Sequence, residues 1–222
     1  MGKAAYDDIA DWYAEWVTGT SEYNDLVGSL TIDLVGSPPE KPAVVADIGC
    51  GTGARTVVLQ ELGWTPIGFD LSAGQLRHAA RQFPVAQANA TALPLQSSSV
   101  SLVTAVLCHT DVPDYAAVVR EAARVLRPGG RMVHIGVHPS FVGAFADRSN
   151  PAEVLVDHTY DRLGRRFDSF TPHGVRSKVG AWHLPLDSFL HCFLDAGLTL
   201  TRVQESRRPD TVPDLLGIVA RK

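Results

Sequence analysis

Apolar positions along the chain follow two alternating periods. Ile9, Trp12, Tyr13 and Trp16 recur at three- and four-residue spacings, which makes the apolar stripe of a helix. A second helix is predicted from Ser21, a good N-cap, to about Leu34. Gly36-Ser37-Pro38-Pro39 breaks it. Beyond that break, short apolar runs trade places with helical stretches. Strands are predicted at Ala43–Ile48, Pro66–Phe69, Val85–Ala88, Val100–Leu107 and Arg131–Val137. Helices are predicted at Arg55–Leu62, closed by Gly63, at Ser72–Gln82 with Ser72 as cap, and at Tyr115–Leu126, stopped by Pro128-Gly129-Gly130. Val100–Leu107 is apolar almost throughout, as a strand buried on both faces requires. From His138 to Leu184 the rhythm stops, and Gly, Pro, His and Arg dominate. Pro185–Ala196 returns to helix, ended by Gly197, and Leu198–Val203 and Leu215–Ala220 read as the last strands. Only about a dozen residues connect them, so this pair is predicted antiparallel.

Strand–helix alternation predicts an α/β chain with a mostly parallel sheet and helices on both faces. The 222 residues fit one domain, residues 1–222. Its parts are an N-terminal helical cap (1–40), a cofactor-binding core (41–137), a substrate-side insertion (138–184) and a C-terminal helix with a strand pair (185–222). Hydrophobic residues at 45% and charged residues at 20% exclude a disordered chain. A formal net charge of −4 argues against nucleic acid as a partner, whose phosphates demand a basic face. The three cysteines, Cys50, Cys108 and Cys192, are far apart and form no C-x-x-C pair. No disulfide framework or zinc signature is expected, and a reduced, cytoplasmic setting is. The N-terminus carries Asp7, Asp8 and Asp11 instead of a basic-then-apolar leader, and no run approaches the roughly 18 apolar residues of a membrane span. The scattered histidines lack metal spacing, so no metal is expected. Nothing in the pattern bears on oligomeric state.

The sharpest feature is Val45-Ala46-Asp47-Ile48-Gly49-Cys50-Gly51-Thr52-Gly53, which leaves a strand and opens a helix. Glycines at alternate positions let the backbone turn tightly and approach a ligand. Asp70 follows Gly49 by 21 residues and ends the next strand, where a carboxylate accepts both hydroxyls of a ribose. Together they describe a pocket for an adenosine-bearing cofactor. Gly49, Gly51 and Ala54 also satisfy the G-x-G-x-x-G/A fingerprint of NAD sites. Asp47 weighs against NAD: a carboxylate so near the loop repels a pyrophosphate and suits a ligand carrying ammonium and sulfonium groups.

These motifs resemble the class I S-adenosylmethionine-dependent methyltransferases, and within them the group similar to ubiquinone and menaquinone C-methylases. The resemblance covers about Ala43 to Lys222. Val44–Gly53 is similar to the family's first motif and Gly68-Phe69-Asp70-Leu71-Ser72 to its acidic second one. Ala92-Leu93-Pro94-Leu95 is similar to the A-L-P-F tract. Glu121 with Arg124-Val125-Leu126-Arg127-Pro128-Gly129-Gly130 is similar to E-x-x-R-V-L-K-P-G-G. The resemblance implies a Rossmann-like seven-stranded, mostly parallel sheet with an antiparallel last pair and an N-terminal helical cap. It implies methyl transfer from S-adenosylmethionine to a small-molecule acceptor at oxygen, nitrogen or carbon, with no nucleic acid and no membrane as partner. It places Asp47, Gly49, Cys50, Gly51, Thr52 and Gly53 at the methionine end, Asp70 on the ribose, and Leu71, Asn89 and Ala90 about the adenine. Gln75 and Leu107 complete the set, and Tyr13, with Trp12 beside it, is placed to close over the cofactor; packing on the core is the alternative for both aromatics. Asn89 stands where the family usually has Asp, and its amide oxygen still accepts from an amino group. Ser101 stands where an Asp often opens the fourth strand.

A hydroxyl or amine acceptor calls for a general base. His109, after the fourth strand, and His138, after the fifth, are the candidates, since ligands bind beyond the carboxyl ends of such sheets. The competing role for each is a histidine that bonds backbone and shapes its loop. Asp111 is expected to orient His109 or to cap the next helix. His134 is expected to be a satisfied core histidine. His158, His173, His183 and Tyr160 lie in the insertion, where the acceptor pocket is expected. Arg162, Arg165 and Arg166, like Arg207 and Arg208, are expected to be solvated, the first three with an acidic acceptor as the alternative. The rival readings are an NAD-dependent oxidoreductase, which lacks an obvious Tyr–Lys pair here, a nucleic-acid methyltransferase, which usually shows an N-P-P-Y-like tract where His109-Thr110-Asp111-Val112-Pro113-Asp114 stands, and a binding or cyclisation protein that keeps the cofactor fold.

Overall fold

The computed structural model describes residues 3–150, 152–167 and 174–222. In chain order the elements are α1 (Ala10–Val17), α2 (Glu22–Val35), β1 (Val44–Ile48), α3 (Val57–Glu61), β2 (Thr65–Asp70), α4 (Ala73–Ala79), β3 (Val85–Gln87) and β4 (Val100–Val106). They continue with α5 (Tyr115–Val125), β5 (Leu126–Val137), β6 (Ala146–Asp147), β7 (Leu155–Val156), β8 (Gly164–Arg166), α6 (Val175–Val179), β9 (Ala181–His183), α7 (Leu186–Asp195), β10 (Thr199–Ser206) and β11 (Leu215–Arg221). Single 3-10 turns cover Asp7–Ile9 and His109–Asp111.

Seven strands form one sheet in the order β10-β11-β5-β4-β1-β2-β3. All neighbours run parallel except β11, which is antiparallel to both β5 and β10. The fold class and the antiparallel last pair are as the alternation predicted. Strand β1 alternates its side chains between two cores. Val45 joins Val27, Leu30, Leu34, Leu59 and Val133 on the side of α2 and α3. Ala46 and Ile48 join Tyr115, Val118, Phe189 and Phe193 on the side of α5 and α7. The chain leaves β1 toward β2 on one side and β4 toward β5 on the other, so the sheet has its switch point beside β1. A crevice opens at such a point, beyond the carboxyl ends of the strands.

The predicted caps hold. Ser21 accepts from Asn24 N at 3.1 Å and Ser72 from Gln75 N at 3.1 Å. Three boundaries move by three residues or more, the first being β10, which runs on to Ser206 past the predicted Val203. The fourth helix ends at Ala79, short of the predicted Gln82. Strand β5 begins at Leu126, five residues ahead of the predicted Arg131, and takes in Pro128-Gly129-Gly130. The reason is a partner: Gly129 N donates to Lys222 O at 3.1 Å and Lys222 N to Gly130 O at 3.0 Å, so the chain end holds the turn in extended form. The aperiodic stretch is two miniature antiparallel ladders, β6 with β7 and β8 with β9, and the short helix α6. Strands of two or three residues are too short to display an alternation.

Candidate functional site

Where β1 ends, Gly49 takes φ +69°, and the amides of Gly49 and Cys50 both donate to Phe69 O, at 2.7 and 3.2 Å. The glycine loop is thereby tied to the end of β2. The end of β4 folds in from the other side through Leu107, which adopts φ +56°, a costly conformation for a branched side chain. Cys108 follows so closely that a Cβ on Gly49 would lie 2.6 Å from its Cβ. Over these strand ends lies a cavity of about 530 Å³.

Two carboxylates sit in its wall. Asp47 is 4% exposed and accepts from Thr56 Oγ1 at 2.6 Å and Thr104 Oγ1 at 2.7 Å. Asp70 accepts from Gly51 N at 2.9 Å and Ser72 N at 2.8 Å. Burial pushes both acids up to about 6, against those hydrogen bonds. Neither is ion-paired with Lys or Arg among the described residues. A buried and a half-buried carboxylate without cations favour a ligand that brings its own positive charge and hydroxyl donors. Beside them Gln75 is buried in the wall, and its amide nitrogen and oxygen have no partner.

The roof comes from the N-terminal segment. Asp7 accepts from Ser72 Oγ at 2.6 Å and from Gly74 N at 3.1 Å, and His78 meets Asp11 at 2.9 Å. The acidic N-terminus thus docks on α4. Tyr6 and Tyr13 pack edge to face at 5.3 Å and both line the cavity. Trp12 does not line it; Lys178 lies over its ring at 4.8 Å. Tyr6 Oη donates to Asp111 at 3.1 Å, and Arg176 of α6 forms an ion pair with the same carboxylate. Asp111 therefore clasps the N-terminal segment to the insertion. It neither orients His109 nor caps α5, whose cap is Asp114, accepting from Ala117 N at 2.9 Å.

A second chamber of about 120 Å³ adjoins the first, and Thr110 and Trp182 line both. His109, Arg162, Arg166, Arg176 and His183 are its polar walls. Of the arginines expected to be solvated, Arg162 and Arg165 are exposed, Arg162 at the edge of this chamber and Arg165 at the large cavity with a hydrogen bond to Val179 O, while Arg166 is half-buried in the chamber wall. Arg208 is likewise held, by Asp214 at 3.1 Å. His109 is 7% exposed, and burial holds its imidazole neutral. His138 is a different case. Its Nδ1 accepts from Ser140 N and its Nε2 meets Glu205 Oε1, each at 3.1 Å, and it lines neither cavity. It shapes the loop after β5 and is not placed as a base. His134 is only half satisfied, since Tyr115 Oη meets its Nδ1 at 2.7 Å while Nε2 has no partner. His158 and Tyr160 line neither cavity, His183 lines the chamber, and His173 lies outside the described residues.

Of the cofactor set, Tyr13, Asp47, Gly49, Cys50, Gly51, Thr52, Asp70, Leu71, Gln75, Asn89, Ala90 and Leu107 converge on the large cavity. Gly53 does not; it lies against the Phe83 ring. Asn89 already accepts from Thr91 N at 3.0 Å, which leaves its oxygen one free lone pair. Tyr6, Arg55, Thr110, Arg165 and Trp182 line the cavity without any motif to announce them. Their only signal is position, on segments that the topology delivers to the carboxyl edge.

A family profile described as "Methyltransferase domain" matches residues 46–134. A demethylmenaquinone methyltransferase of Mycolicibacterium gilvum (strain PYR-GCK) is 39% identical over 98 residues, which cover 44% of this chain and 42% of the relative. The chain thus matches less than half the length of that relative. Among solved structures, an S-adenosylmethionine dependent methyltransferase from Mesorhizobium loti superposes with a TM-score of 0.68 at 23% identity, covering 93% of this chain and all of the other. The (4+2)-cyclase SpnF superposes with a TM-score of 0.65 at 14% identity, over 93% of this chain and 84% of its own. The motif resemblance is thus matched across the cofactor half of the chain, and the fold across nearly all of it.

Proposed function

We propose that this chain, whose residues 46–134 match a methyltransferase domain model, transfers a methyl group from S-adenosylmethionine to a small-molecule acceptor. The observation that carries the reading is the pair of carboxylates without cationic partners among the described residues, Asp47 buried and Asp70 half-buried, at the switch point of this sheet. Asp70 keeps two lone-pair directions beyond the amides of Gly51 and Ser72, enough for two ribose hydroxyls. Asp47 and the glycine loop favour the cationic methionine end. S-adenosylmethionine supplies an activated methyl group on a sulfonium, and the chemistry of its displacement is the cofactor's own.

The protein's share is alignment and exclusion of water. The acceptor enters from the second chamber, whose junction with the large cavity at Thr110 and Trp182 lines it up with the cofactor. Tyr6, Tyr13 and the Asp111–Arg176 clasp cover the junction from outside. The demethylmenaquinone relative favours a small, ring-bearing acceptor.

Calorimetric titration with S-adenosylmethionine, S-adenosylhomocysteine and NAD in parallel tests this reading. Binding of the first two at micromolar strength, absent for NAD and lost in Asp70→Ala, is expected. Binding of NAD alone would replace the reading with a dehydrogenase.

A further inference from the structure

Behind the second chamber lies a row of three buried polar rings. Tyr115 of α5 is 1% exposed, and its hydroxyl stands 2.7 Å from Nδ1 of His134 on β5. His134 Nε2 and His109 Nδ1 are both fully enclosed and have no partner among the described residues. They converge on one spot. A Cβ built on Gly136 would meet His134 Nε2 at 2.6 Å and would collide with His109 Nδ1. The two imidazoles are edge to face, 5.0 Å between centroids, and Phe189 packs on both, at 4.9 and 5.4 Å. An enclosed polar atom left unmet costs about 1–3 kcal/mol, so the two nitrogens have strong reason to serve each other. No hydrogen bond joins them as the rings stand, and the absence of a side chain at Gly136 leaves room for a ring rotation that would form one.

Burial drives both imidazoles to the neutral form, His134 down to about 3, so each ring carries one N–H. The row then has two possible directions. In one, Tyr115 O–H donates to His134 Nδ1, His134 Nε2–H donates to His109 Nδ1, and every enclosed group is met. In the other, His109 and His134 each donate the opposite way, and the enclosed Tyr115 hydroxyl is left with a proton and no acceptor among the described residues. Both directions hold two hydrogen bonds within the row, but only the first leaves no enclosed proton without an acceptor. It also leaves the single N–H of His109 on Nε2, the nitrogen that is not enclosed, on a ring that lines the chamber.

We propose that Tyr115 and His134 hold His109 as an N–H donor into the second chamber, and that the chamber therefore takes an acceptor bearing an anionic oxygen, a carboxylate or phenolate. His109 is on this account a binding donor and not a base, and Tyr115 and His134 are positioning residues. The other polar walls agree. Arg162, Arg166 and Arg176 line the chamber, Arg162 at its exposed edge and Arg176 while paired with Asp111, and no Asp or Glu lines it among the described residues. An oxyanion needs donors and positive charge and leaves no proton to remove. The inference deepens the methyl-transfer reading by naming the acceptor class, but the tautomer stands apart from that reading.

Long-range 1H–15N correlation spectra of the histidine-labelled protein read the tautomer directly, first without ligand and then with S-adenosylhomocysteine. The peaks are assigned with His109→Gln and His134→Gln. His109 protonated at Nε2 and bare at Nδ1 is expected in both states. In Tyr115→Phe, which keeps the ring packing, the Nδ1–H form of His109 is expected to appear. With S-adenosylhomocysteine present, 4-hydroxybenzoate is the anionic probe and its methyl ester the neutral control. The acid is expected to bind at least about tenfold tighter, His109→Gln to keep that preference through its amide N–H, and His109→Ala and Tyr115→Phe to lose it. His109 found protonated at Nδ1, or an ester that binds as well as the acid, would overturn the proposal. Failure of the methyl-transfer reading shows separately, as no binding of S-adenosylhomocysteine.

Discussion

The two halves of the site are built by different means. Around Asp47, Gly49 and Asp70, positions come from strand ends; main-chain amides of the adjoining loops aim Asp70, and the hydroxyls of Thr56 and Thr104 aim Asp47. Around His109, Arg162 and Trp182, the wall comes from strands of two or three residues and one short helix, held by side chains that reach across from other segments. The sheet imposes the first geometry on any sequence that closes it. The second is free to be re-lined without touching the sheet. Recognition of a constant cofactor belongs on the rigid half, and choice of acceptor on the other.

Five perturbations break or sharpen that contrast. Gly49→Ala strikes the rigid half where it has no slack, with a positive φ and a contact at 2.6 Å. A loss of about 3 kcal/mol is expected, roughly 6–12 °C in melting temperature for a chain of this size, and calorimetry measures it. A melting temperature within a degree of the parent would show the loop to be pliable. On the methyl-transfer reading, Asp70→Ala removes two charge-assisted bonds to the ribose. Binding of S-adenosylhomocysteine is expected to weaken on the order of 100-fold with the fold intact.

The third is pH. The folded acids at Asp47 and Asp70 take up protons near pH 6, while an unfolded Asp does so near about 4. Between those values the folded chain binds more protons, so the stability of the cofactor-free protein falls as pH rises through that window. Affinity for the cationic cofactor runs the opposite way and rises as both acids ionise. Melts and titrations with S-adenosylmethionine at pH 5 and 7 check both signs. An affinity that is flat across this range would remove the carboxylates from the site.

Arg176→Ala tests the flexible half by opening the clasp on Asp111. The ion pair is about a quarter exposed, so about 1 kcal/mol of stability is expected to go, with faster dissociation of S-adenosylhomocysteine as the larger signal in stopped flow. The smallest effect belongs to His138→Gln. It loses a hydrogen bond that shapes a loop, worth about 1 kcal/mol, and turnover is expected to be unchanged. Loss of turnover at full stability would return His138 to the chemistry.

Much of the cofactor half was legible along the chain, because its constraints are local. A glycine that must take φ +69° and an acid at a strand end leave a mark at fixed spacing. The motif pairing Glu121 with Arg124 was equally visible, but its work was not. Glu121 accepts from Leu93 N at 2.6 Å, and Arg124 bonds Glu121 at 2.7 Å and Leu95 O at 2.8 Å, so the pair braces the Ala92–Leu95 tract and touches no cavity. The histidines divide for a similar reason. His109 and His138 each follow a strand, yet where the side chain points depends on how the chain turns afterwards. At His138 its own amide, bonded to Asp214 O at 2.9 Å, and the facing Glu205 draw the ring away from both cavities.

The chain's local pattern settled the alternation of strands and helices, the caps at Ser21 and Ser72, the glycine turn and the antiparallel last pair, because backbone preference and hydrophobic period act within a few residues. Tertiary structure alone settled the clasp of Tyr6 and Arg176 on Asp111, the row from Tyr115 to His109, and which arginines face the chamber. Those contacts join residues up to 105 positions apart. They depend on where the sheet order brings separate segments, which no local period encodes.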